Sequence, residues 1–367
     1  MKIAFEDGFA IDKKGGIGQY TLNLFSAMRN LCGEKDVKLI NKPFLSRIPY
    51  TSLRRTLYMI WLDGPLQSLL NKEQIDIIHF TNFLIPHIRL SNAKYAVTIH
   101  DLTAWRYPQT LPSLYLPYIK EAISHAVTSA DLIFAVSESV RKEIVELFGI
   151  SEERIYVGYC GVSDKFLKSP VNSTYLTKVK DRFSIKKDFL LFVGTIEERK
   201  NIITLIKAFK EFKKHLDFQL VLAGKPGYGY PRVEKYLQEY KLQQDVILTG
   251  YVSEEEKIAL YDLSKVFIFP SLYEGFGIPL LEALARGIPI IASRIPTTEE
   301  IAGDNVVYYD NPLDYKLLAD KIIQLLGDGN LYRKLSAKGR TRAEKFSWDN
   351  VAKEYLKSYR KIFYSNI

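Results

Sequence analysis

The sequence predicts an α/β protein of two Rossmann-like domains, each built on a doubly wound parallel sheet. Short runs of β-branched and aromatic residues alternate with helical patterns, this alternation occurs twice, and a polar segment separates the two series. At 367 residues the chain also exceeds the size that one hydrophobic core usually supports. An apolar content of 47% is sufficient to fill two cores.

The predicted strands form two groups of six. The first group covers residues 2–5, 37–40, 75–79, 95–99, 132–135 and 155–158, and the second covers residues 189–193, 219–223, 246–249, 266–269, 290–292 and 306–308. The polar, lysine-rich residues 164–187 between them indicate a domain boundary. We therefore expect an N-terminal domain over residues 1–168 and a C-terminal domain over residues 169–347, facing each other across a cleft that holds the active site.

Helix ends are visible in the second half. Ser253 and Glu256 have the spacing of a capping box, and Pro279 and Gly287 mark the first turn and the end of another helix. From residue 348 onward, apolar residues recur every three to four positions. This pattern predicts a final helix, residues 348–367, that packs back on the first domain.

The composition narrows the class of protein. The first strand runs directly into Glu6 and Asp7, unlike a secretory signal, and no apolar stretch reaches the roughly 20 residues of a membrane span, so we expect a cytoplasmic protein. Cys32 and Cys160 lack the spacing of a disulfide framework or a zinc site. The net charge of +9 favours an anionic partner, which could be a phosphate, an acidic lipid or a nucleic acid.

Two loops between a strand and a helix carry the strongest chemical signals. In Ser271-Leu-Tyr-Glu-Gly-Phe-Gly-Ile-Pro-Leu-Leu-Glu282, glycines let the backbone approach a ligand, and a helix start favours phosphate or sugar hydroxyls. Glu274 and Glu282 can accept hydrogen bonds from vicinal hydroxyls, or they can be ordinary surface charges.

The second loop is Gly194-Thr-Ile-Glu-Glu-Arg-Lys-Asn201. Here Arg199 and Lys200 repel each other at a helix entrance unless an anion such as a diphosphate is present. The alternative is two solvated charges.

These loops, together with Leu222-Ala-Gly-Lys225 and Thr249-Gly-Tyr-Val252, resemble family 4 of the retaining GT-B glycosyltransferases over nearly the whole chain. The resemblance implies that Glu274 binds hydroxyls of the transferred sugar and that Glu282 binds the ribose of a nucleotide-sugar donor. It implies that Arg199 and Lys200 grip the diphosphate and that the backbone near Val252 meets the base. The resemblance also implies that Gly275, Phe276 and Gly277 contact the donor. It makes the domain over residues 1–168 the acceptor-binding domain and the domain over residues 169–347 the donor-binding domain.

One departure from the family pattern is Thr195, where many members have an arginine, so more of the phosphate charge should rest on Arg199 and Lys200. The Arg-Lys-Asn form of this loop is associated with mannosyl transfer from GDP-mannose. The resemblance therefore implies a metal-independent hexosyltransferase without a cofactor, acting by front-face attack. Its acceptor would be a glycan or a lipid-linked glycan in cell-surface polysaccharide synthesis.

The first half contributes weaker signals. Gly16 and Gly18 lie between the first strand and a helix, but Thr21 replaces the third glycine of a dinucleotide fingerprint. His100 and Asp101 follow the strand at residues 95–99, where either a structural or a ligand-binding role is open. The family resemblance makes the two glycines donor contacts and places His100 near the reacting sugar.

Several alternatives remain open. Residues 52–61 combine basic, aromatic and apolar positions, and could touch an anionic membrane or simply cover the first domain. The donor could be UDP-glucose or UDP-N-acetylglucosamine, and the enzyme could be a GT-B-like sugar-nucleotide epimerase. A nucleic-acid binder would fit the charge, but no recognised nucleic-acid motif is present. The absence of Asp-x-Asp argues against the metal–diphosphate clamp of the other glycosyltransferase fold.

Overall fold

The computed structural model describes residues 1–6, 16–40, 51–168 and 171–364, with side chains from Leu53 onward in the third range. The chain divides into two compact units. The first contains Met1–Trp105, Leu114–Gly161 and Phe346–Ile367, and the second contains Arg106–Ser113 and Val162–Lys345. Each unit has its own six-stranded sheet, in which all neighbouring strands are parallel.

The sheet of the first unit has the strand order β2-β1-β3-β4-β5-β6. The strands are β1 Ile3–Glu6, β2 Val37–Ile40, β3 Ile77–Phe80, β4 Lys94–Ile99, β5 Leu132–Ala135 and β6 Ile155–Val157. The helices are α1 Gly16–Cys32, α2 Thr51–Asp63, α3 Pro65–Glu73, α4 Thr103–Arg106, α5 Leu116–Ser129 and α6 Glu138–Phe148. Strands β1, β3 and β5 are buried along their whole length, because helices cover a parallel sheet on both faces.

The sheet of the second unit has the strand order β12-β11-β10-β7-β8-β9. The strands are β7 Phe189–Val193, β8 Gln219–Ala223, β9 Val246–Gly250, β10 Val266–Phe269, β11 Ile290–Ser293 and β12 Val307–Tyr309. The helices are α7 Asp164–Lys168, α8 Ser173–Arg182, α9 Ile202–Phe212, α10 Tyr230–Glu239, α11 Glu254–Leu263, α12 Ile278–Arg286, α13 Pro296–Ala302, α14 Tyr315–Gly327 and α15 Gly329–Glu344. The predicted class, two Rossmann-like parallel sheets with flanking helices, is confirmed.

The order in which strands are added to the second sheet changes direction between β7 and β10, which are parallel neighbours in the sheet although they are far apart in sequence. In doubly wound folds the loops at the carboxyl ends of such a strand pair diverge and leave a crevice in which ligands bind. The loop after β7 contains Arg199 and Lys200, and the loop after β10 contains Glu274. The topology therefore brings the two loops singled out in the sequence to one place.

Local helix signals agree with the structure at several ends. The backbone N–H of Ser253 donates to Glu256 at 2.8 Å, and that of Glu256 donates to the Ser253 hydroxyl at 3.2 Å, which confirms the capping box of α11. Gly287 ends α12 with φ of 68°. Residues 164–187, expected at a boundary, contribute α7 and α8 to the second unit, where Phe166 and Val179 are buried.

The last helix, α16 Trp348–Tyr364, belongs to the first unit and packs on α1, as predicted. Its Tyr355 hydroxyl donates to the carbonyl of Gly158 at 2.7 Å and lies 2.7 Å from the Tyr20 hydroxyl. Its Tyr359 hydroxyl lies 2.5 Å from Nδ1 of His79, whose pKa is lowered to about 3 by burial. A Cβ at Gly158 would stand 2.2 Å from the Tyr355 oxygen, so glycine is required for this close packing.

Candidate functional site

The turn after β7 is fixed in place mainly by Asn201. This residue has φ of 57° and follows a short 3-10 turn at Glu198–Lys200. Its side-chain amide donates to the carbonyls of Pro270 at 3.1 Å and Pro312 at 2.6 Å, and its oxygen accepts from the Thr204 hydroxyl at 2.7 Å. Asn201 therefore fixes the turn that carries Lys200 to the loop that follows β10.

The loop after β10 is held by hydroxyl groups and by one glycine. The Ser293 hydroxyl donates to the Ser271 carbonyl at 2.5 Å, and the Thr297 hydroxyl donates to the Glu274 carbonyl at 2.7 Å. Gly277, with φ of 98°, allows the sharp entry into α12. Its carbonyl already accepts the N–H groups of Leu280 and Leu281, so those two donors of the first helical turn are satisfied within the protein.

Glu274 is the centre of a buried charged cluster. Its Oε1 accepts hydrogen bonds from the Lys200 ammonium at 2.5 Å and the Ser271 hydroxyl at 2.6 Å, and its Oε2 accepts one from Arg199 at 3.0 Å. Burial raises the pKa of Glu274, but Lys200 and Arg199 outweigh that effect and lower the pKa to about 2. Glu274 is therefore an ionised carboxylate at neutral pH.

The same cluster changes the electrostatic argument drawn from the sequence. Two adjacent cations suggested a site that required an external anion. In the structure Glu274 ion-pairs with Arg199 and Lys200, and Glu197 also pairs with Arg199 at 2.9 Å. The protein itself thus balances both cations. Of the three donors of the Lys200 ammonium, Glu274 uses one.

Glu282 lies on α12 and contacts the neighbouring helix α11. Its Oε1 pairs with the Lys257 ammonium, and its Oε2 accepts a hydrogen bond from the Tyr261 hydroxyl at 3.1 Å. Lys257 and Tyr261 are four residues apart, so they lie on the same face of α11. Burial raises the pKa of Glu282, although Lys257 opposes it. Glu274 and Glu282 therefore have different partners and different electrostatic surroundings.

The remaining donor contacts expected in the second unit lie on the same side of its sheet, after the carboxyl ends of strands. Val252 and Phe276 are buried, and Tyr251 is 44% exposed with the Lys225 ammonium 5.3 Å from its ring. Gly224 approaches the preceding loop so closely that a Cβ there would meet the Gly194 carbonyl oxygen at 1.8 Å. At Val252, Phe276 and Gly224, a ligand would therefore meet the backbone and not an exposed side chain.

In the first unit, Gly16 and Gly18 are part of α1 itself, Gly16 exposed at its first residue and Gly18 buried. Gly15 and the rest of residues 7–15 lie outside the described residues. Thr21, which stands where a fingerprint glycine was missing, places its hydroxyl 2.6 Å from that of Thr81, beyond the end of β3. These contacts join α1 to the carboxyl edge of the first sheet.

His100 follows β4, and one of its ring nitrogens makes a hydrogen bond within the first unit. Its Nε2–H donates to the Thr81 carbonyl at 2.8 Å, and its ring meets the Tyr20 ring edge-on at 4.9 Å. Burial lowers the pKa of His100, although its hydrogen bond and Asp101 oppose this effect. A neutral imidazole that donates through Nε2 keeps Nδ1 as an acceptor. Asp101 accepts the backbone N–H of Thr103 at 3.0 Å.

The structure also reveals site residues that the sequence patterns did not indicate. Ser271, Lys257 and Tyr261 bond directly to the two glutamates, and Glu197 holds Arg199. The capping box could have located Lys257 and Tyr261, because it sets the start of α11 and hence which residues share a face. No comparable local signal exists for Ser271 or Glu197.

Two family models match the chain in succession. The model described as Glycosyltransferase Family 4 matches residues 14–166, and the model described as Glycosyl transferases group 1 matches residues 177–342. The first match includes Gly16, Gly18 and His100. The second match includes Lys200 and Glu274, together with the other candidate residues of the second unit.

Curated relatives include two bacterial mannosyltransferases. O-antigen chain mannosyltransferase B from Escherichia coli is 28% identical over 372 residues, which covers 95% of this chain and 96% of that protein. The serotype-specific mannosyltransferase WbdA from Escherichia coli is 32% identical over 241 residues, covering 65% of this chain and 29% of that protein.

Two solved structures match over 98% or more of the chain. Sucrose-phosphate synthase from Thermosynechococcus elongatus has a TM-score of 0.80 at 21% identity and covers 100% of each chain. Anabaena HepE in complex with UDP-glucose has a TM-score of 0.75 at 15% identity and covers 98% of this chain and 100% of its own. These likenesses concern the fold.

Proposed function

Because the chain belongs to the family 4 glycosyltransferases and has the GT-B fold, we propose that it transfers mannose from GDP-mannose to a glycan or lipid-linked acceptor. The 28% identity to O-antigen chain mannosyltransferase B, over almost all of each protein, supports the choice of sugar. The product would be part of a cell-surface polysaccharide. UDP-glucose and UDP-N-acetylglucosamine are the alternative donors, and the HepE complex shows one related fold that holds UDP-glucose.

The observation that carries this proposal is the buried cluster of Glu274, Lys200 and Ser271 at the switch point of the second sheet. A carboxylate offers about four lone-pair sites, of which Glu274 uses three, so one remains for a sugar hydroxyl. Within the described residues the Lys200 ammonium donates to Glu274 alone, which leaves two donors for phosphate oxygens. A hydroxyl and a diphosphate can therefore bind here together.

The rest of the donor would extend along the second unit. Glu282 would accept hydrogen bonds from the ribose hydroxyls, in exchange for part of its contact with Lys257 or Tyr261. The backbone near Val252 would meet the base, and the backbone of residues 275–277 would line the sugar and phosphates. In the first unit, the neutral His100 would contact the transferred sugar, and Gly16 and Gly18 would contact the donor.

The proposed reaction breaks the bond between the anomeric carbon and the donor phosphate oxygen. The acceptor hydroxyl oxygen bonds to that carbon on the same face, and its proton passes to the leaving diphosphate. Negative charge grows on the diphosphate, where Lys200 and the positive end of the α12 dipole would stabilise it. These groups would take the place of a metal ion, and no protein nucleophile or cofactor is required.

The donor is testable by its effect on thermal unfolding. A ligand that binds only the folded state, present at 100 times its Kd, raises the unfolding free energy by about 2.7 kcal/mol. We expect GDP-mannose to raise the melting temperature more than UDP-glucose, UDP-N-acetylglucosamine or UDP-galactose does. A larger shift with a UDP-sugar would identify that UDP-sugar, and not GDP-mannose, as the donor. The absence of a shift with any of these nucleotide sugars would contradict the whole proposal.

We also propose that α2 contacts an anionic membrane that carries a lipid-linked acceptor. Leu53 and Ile60 of this helix are exposed, and so is Leu114, at 96%. The guanidinium of Arg55 lies 5.1 Å from the ring of Tyr115, next to Leu114. The exposed surface thus combines apolar and cationic groups, as an interfacial surface does. No helix of the described residues is long and apolar enough to cross a bilayer.

The membrane proposal predicts that the triple variant Leu53→Ser, Ile60→Ser and Leu114→Ser binds anionic vesicles at least about tenfold more weakly, since even partial burial of three leucine-sized side chains exceeds 1.4 kcal/mol. Co-sedimentation with vesicles containing phosphatidylglycerol measures this. Leu313→Ser is the matched control, because Leu313 is 64% exposed on the other unit. Equal vesicle binding by the triple variant and the control would contradict the assigned surface.

A further inference from the structure

The guanidinium of Arg199 is directed at protein acceptors. One terminal nitrogen donates to the Tyr273 carbonyl at 2.8 Å and to Glu274 Oε2 at 3.0 Å, and the other donates to Glu197 Oε1 at 2.9 Å. At least three of the five N–H donors of this arginine are thus bonded to the protein. The side chain is 15% exposed. Arg199 has the geometry of a group enclosed by its own unit.

The backbone of Arg199 makes a contact in the same direction. Its carbonyl accepts the N–H of Leu272 at 2.9 Å, so the main chain and the side chain of one residue bond to three successive positions of the loop after β10. These positions are Leu272, Tyr273 and Glu274. Arg199 therefore connects the turn that carries Lys200 to the loop that carries Glu274, across the switch point of the sheet.

We propose that Arg199 is a positioning residue, which sets the orientation of the Glu274 carboxylate beside Lys200, and that it does not bind the donor diphosphate. This inference rests on the proposed function, in which Glu274 and Lys200 touch the donor. The family resemblance implied that Arg199 binds the diphosphate. The contacts of Arg199 instead indicate that it orients Glu274. Lys200, with two ammonium donors left over, then provides the side-chain charge for the diphosphate.

The physical reason lies in how the cluster is built. Ser271 and Lys200 hold Oε1 of Glu274, whereas Oε2 accepts a hydrogen bond from Arg199. Without the planar fork of Arg199, the carboxylate loses the contact that fixes its rotation and the Tyr273 carbonyl loses its donor. The sugar hydroxyl bonded to Glu274 would shift, and the anomeric carbon would shift with it, while the phosphate groups would keep their contact with Lys200.

The test separates nucleotide binding from turnover. Arg199→Lys keeps the positive charge but lacks the fork that reaches two acceptors from one nitrogen and a third from the other. We expect the Kd of GDP, measured by titration calorimetry, to stay within about threefold of wild type, while kcat for sugar transfer falls about tenfold to a hundredfold, the scale of a displacement near 1 Å. A melting temperature is measured for each variant to establish folding.

Glu197→Gln provides a second variant, because Glu197 contacts Arg199 and is not proposed to touch the donor. It should lower kcat in the same direction, by less, with the Kd of GDP unchanged. Lys200→Ala is the comparison that loses GDP affinity. Arg199→Gln removes the charge as well, and the Kd of GDP should again stay within about threefold of wild type. If Arg199→Gln binds GDP as weakly as Lys200→Ala, or if Arg199→Lys retains wild-type kcat, the positioning role is overturned. If wild-type protein binds neither GDP nor UDP, the proposed function fails and this inference fails with it.

Discussion

Replacing Lys200 with alanine is expected to slow sugar transfer by a factor of about 10² to 10³, which corresponds to about 2.7–4 kcal/mol of barrier, the usual cost of removing one donor aimed at developing charge. The reason is the position of its ammonium, which is 2.5 Å from Glu274 in a buried cluster and has donors available for phosphate oxygens.

Steady-state transfer at saturating donor measures the effect on kcat, and titration with GDP measures the effect on binding. Lys214→Ala is a suitable control, since Lys214 is an exposed lysine of the same unit that pairs with Glu211 on the protein surface. Its transfer rate should equal that of wild type. A Lys200→Ala enzyme with a near wild-type rate would remove Lys200 from the proposed mechanism.

A loss of stability in the same variant has to be separated from the loss of catalysis. Breaking a buried ion pair by removing one partner costs about 3–5 kcal/mol, because the other charge stays buried. In Lys200→Ala, however, Glu274 keeps the hydrogen bonds from Arg199 and Ser271. We therefore expect a cost below that range. Lys200→Arg, which keeps a charge at the position, should recover more stability than activity, since a guanidinium does not reproduce the compact ammonium.

The sequence is sufficient for the fold because the strands of a parallel sheet leave a direct trace. Strands such as β7 and β10 are unbroken apolar runs, and each ends at a loop with glycine, so twelve strands and their order along the chain could be predicted. The capping pair Ser253 and Glu256 similarly gives the start of α11 from four residues.

The directions of the side chains at the site could not be predicted from the sequence. Adjacent residues in the motif, Arg199 and Lys200, were expected to act as one pair on the diphosphate. The 3-10 turn and the left-handed Asn201 send them to different atoms of Glu274, and Arg199 also bonds to the Tyr273 carbonyl, 74 positions away. Contacts over this separation form because β7 and β10 are neighbours in the sheet. The spacing of residues within one motif carries no information about that.

Replacing Glu274 with glutamine is expected to destabilise the protein at neutral pH and to change how it selects donors. The substitution keeps the size of the side chain but removes the carboxylate that pairs with both Lys200 and Arg199, of which Arg199 keeps its pair with Glu197. A cost of about 3–5 kcal/mol in unfolding free energy is the scale for a broken buried pair. Chemical denaturation measures it, with Glu239→Gln, an exposed glutamate of the same unit, as the control.

The pH dependence of this cost has a definite sign. The pKa of Glu274 is about 2 in the folded protein and near 4.5 without its partners, so the folded state favours the ionised form. Stability from this group is fully present above pH 4.5 and is lost as the pH falls toward 2, by about 3 kcal/mol in total. The difference in unfolding free energy between wild type and Glu274→Gln should therefore shrink over this window. A difference that is constant from pH 6 to pH 3 would contradict the ion-pair assignment.

Donor selection by the same variant tests the chemical role of Glu274 separately from its structural role. A hydrogen bond from a sugar hydroxyl to a charged acceptor contributes about 1.5–3 kcal/mol, which is about 10- to 100-fold in kcat/KM. Donors that differ at the bonded hydroxyl lose that difference when the acceptor is neutral. Among the 2-, 3-, 4- and 6-deoxy analogues of GDP-mannose, discrimination against the one that lacks the bonded hydroxyl should therefore weaken by this factor. Binding of GDP alone has no sugar hydroxyl to report, and the loss of a negative charge beside Lys200 should leave it unchanged or tighter. Unchanged discrimination in a folded variant would show that Glu274 holds Lys200 and Arg199 in place without contacting the sugar.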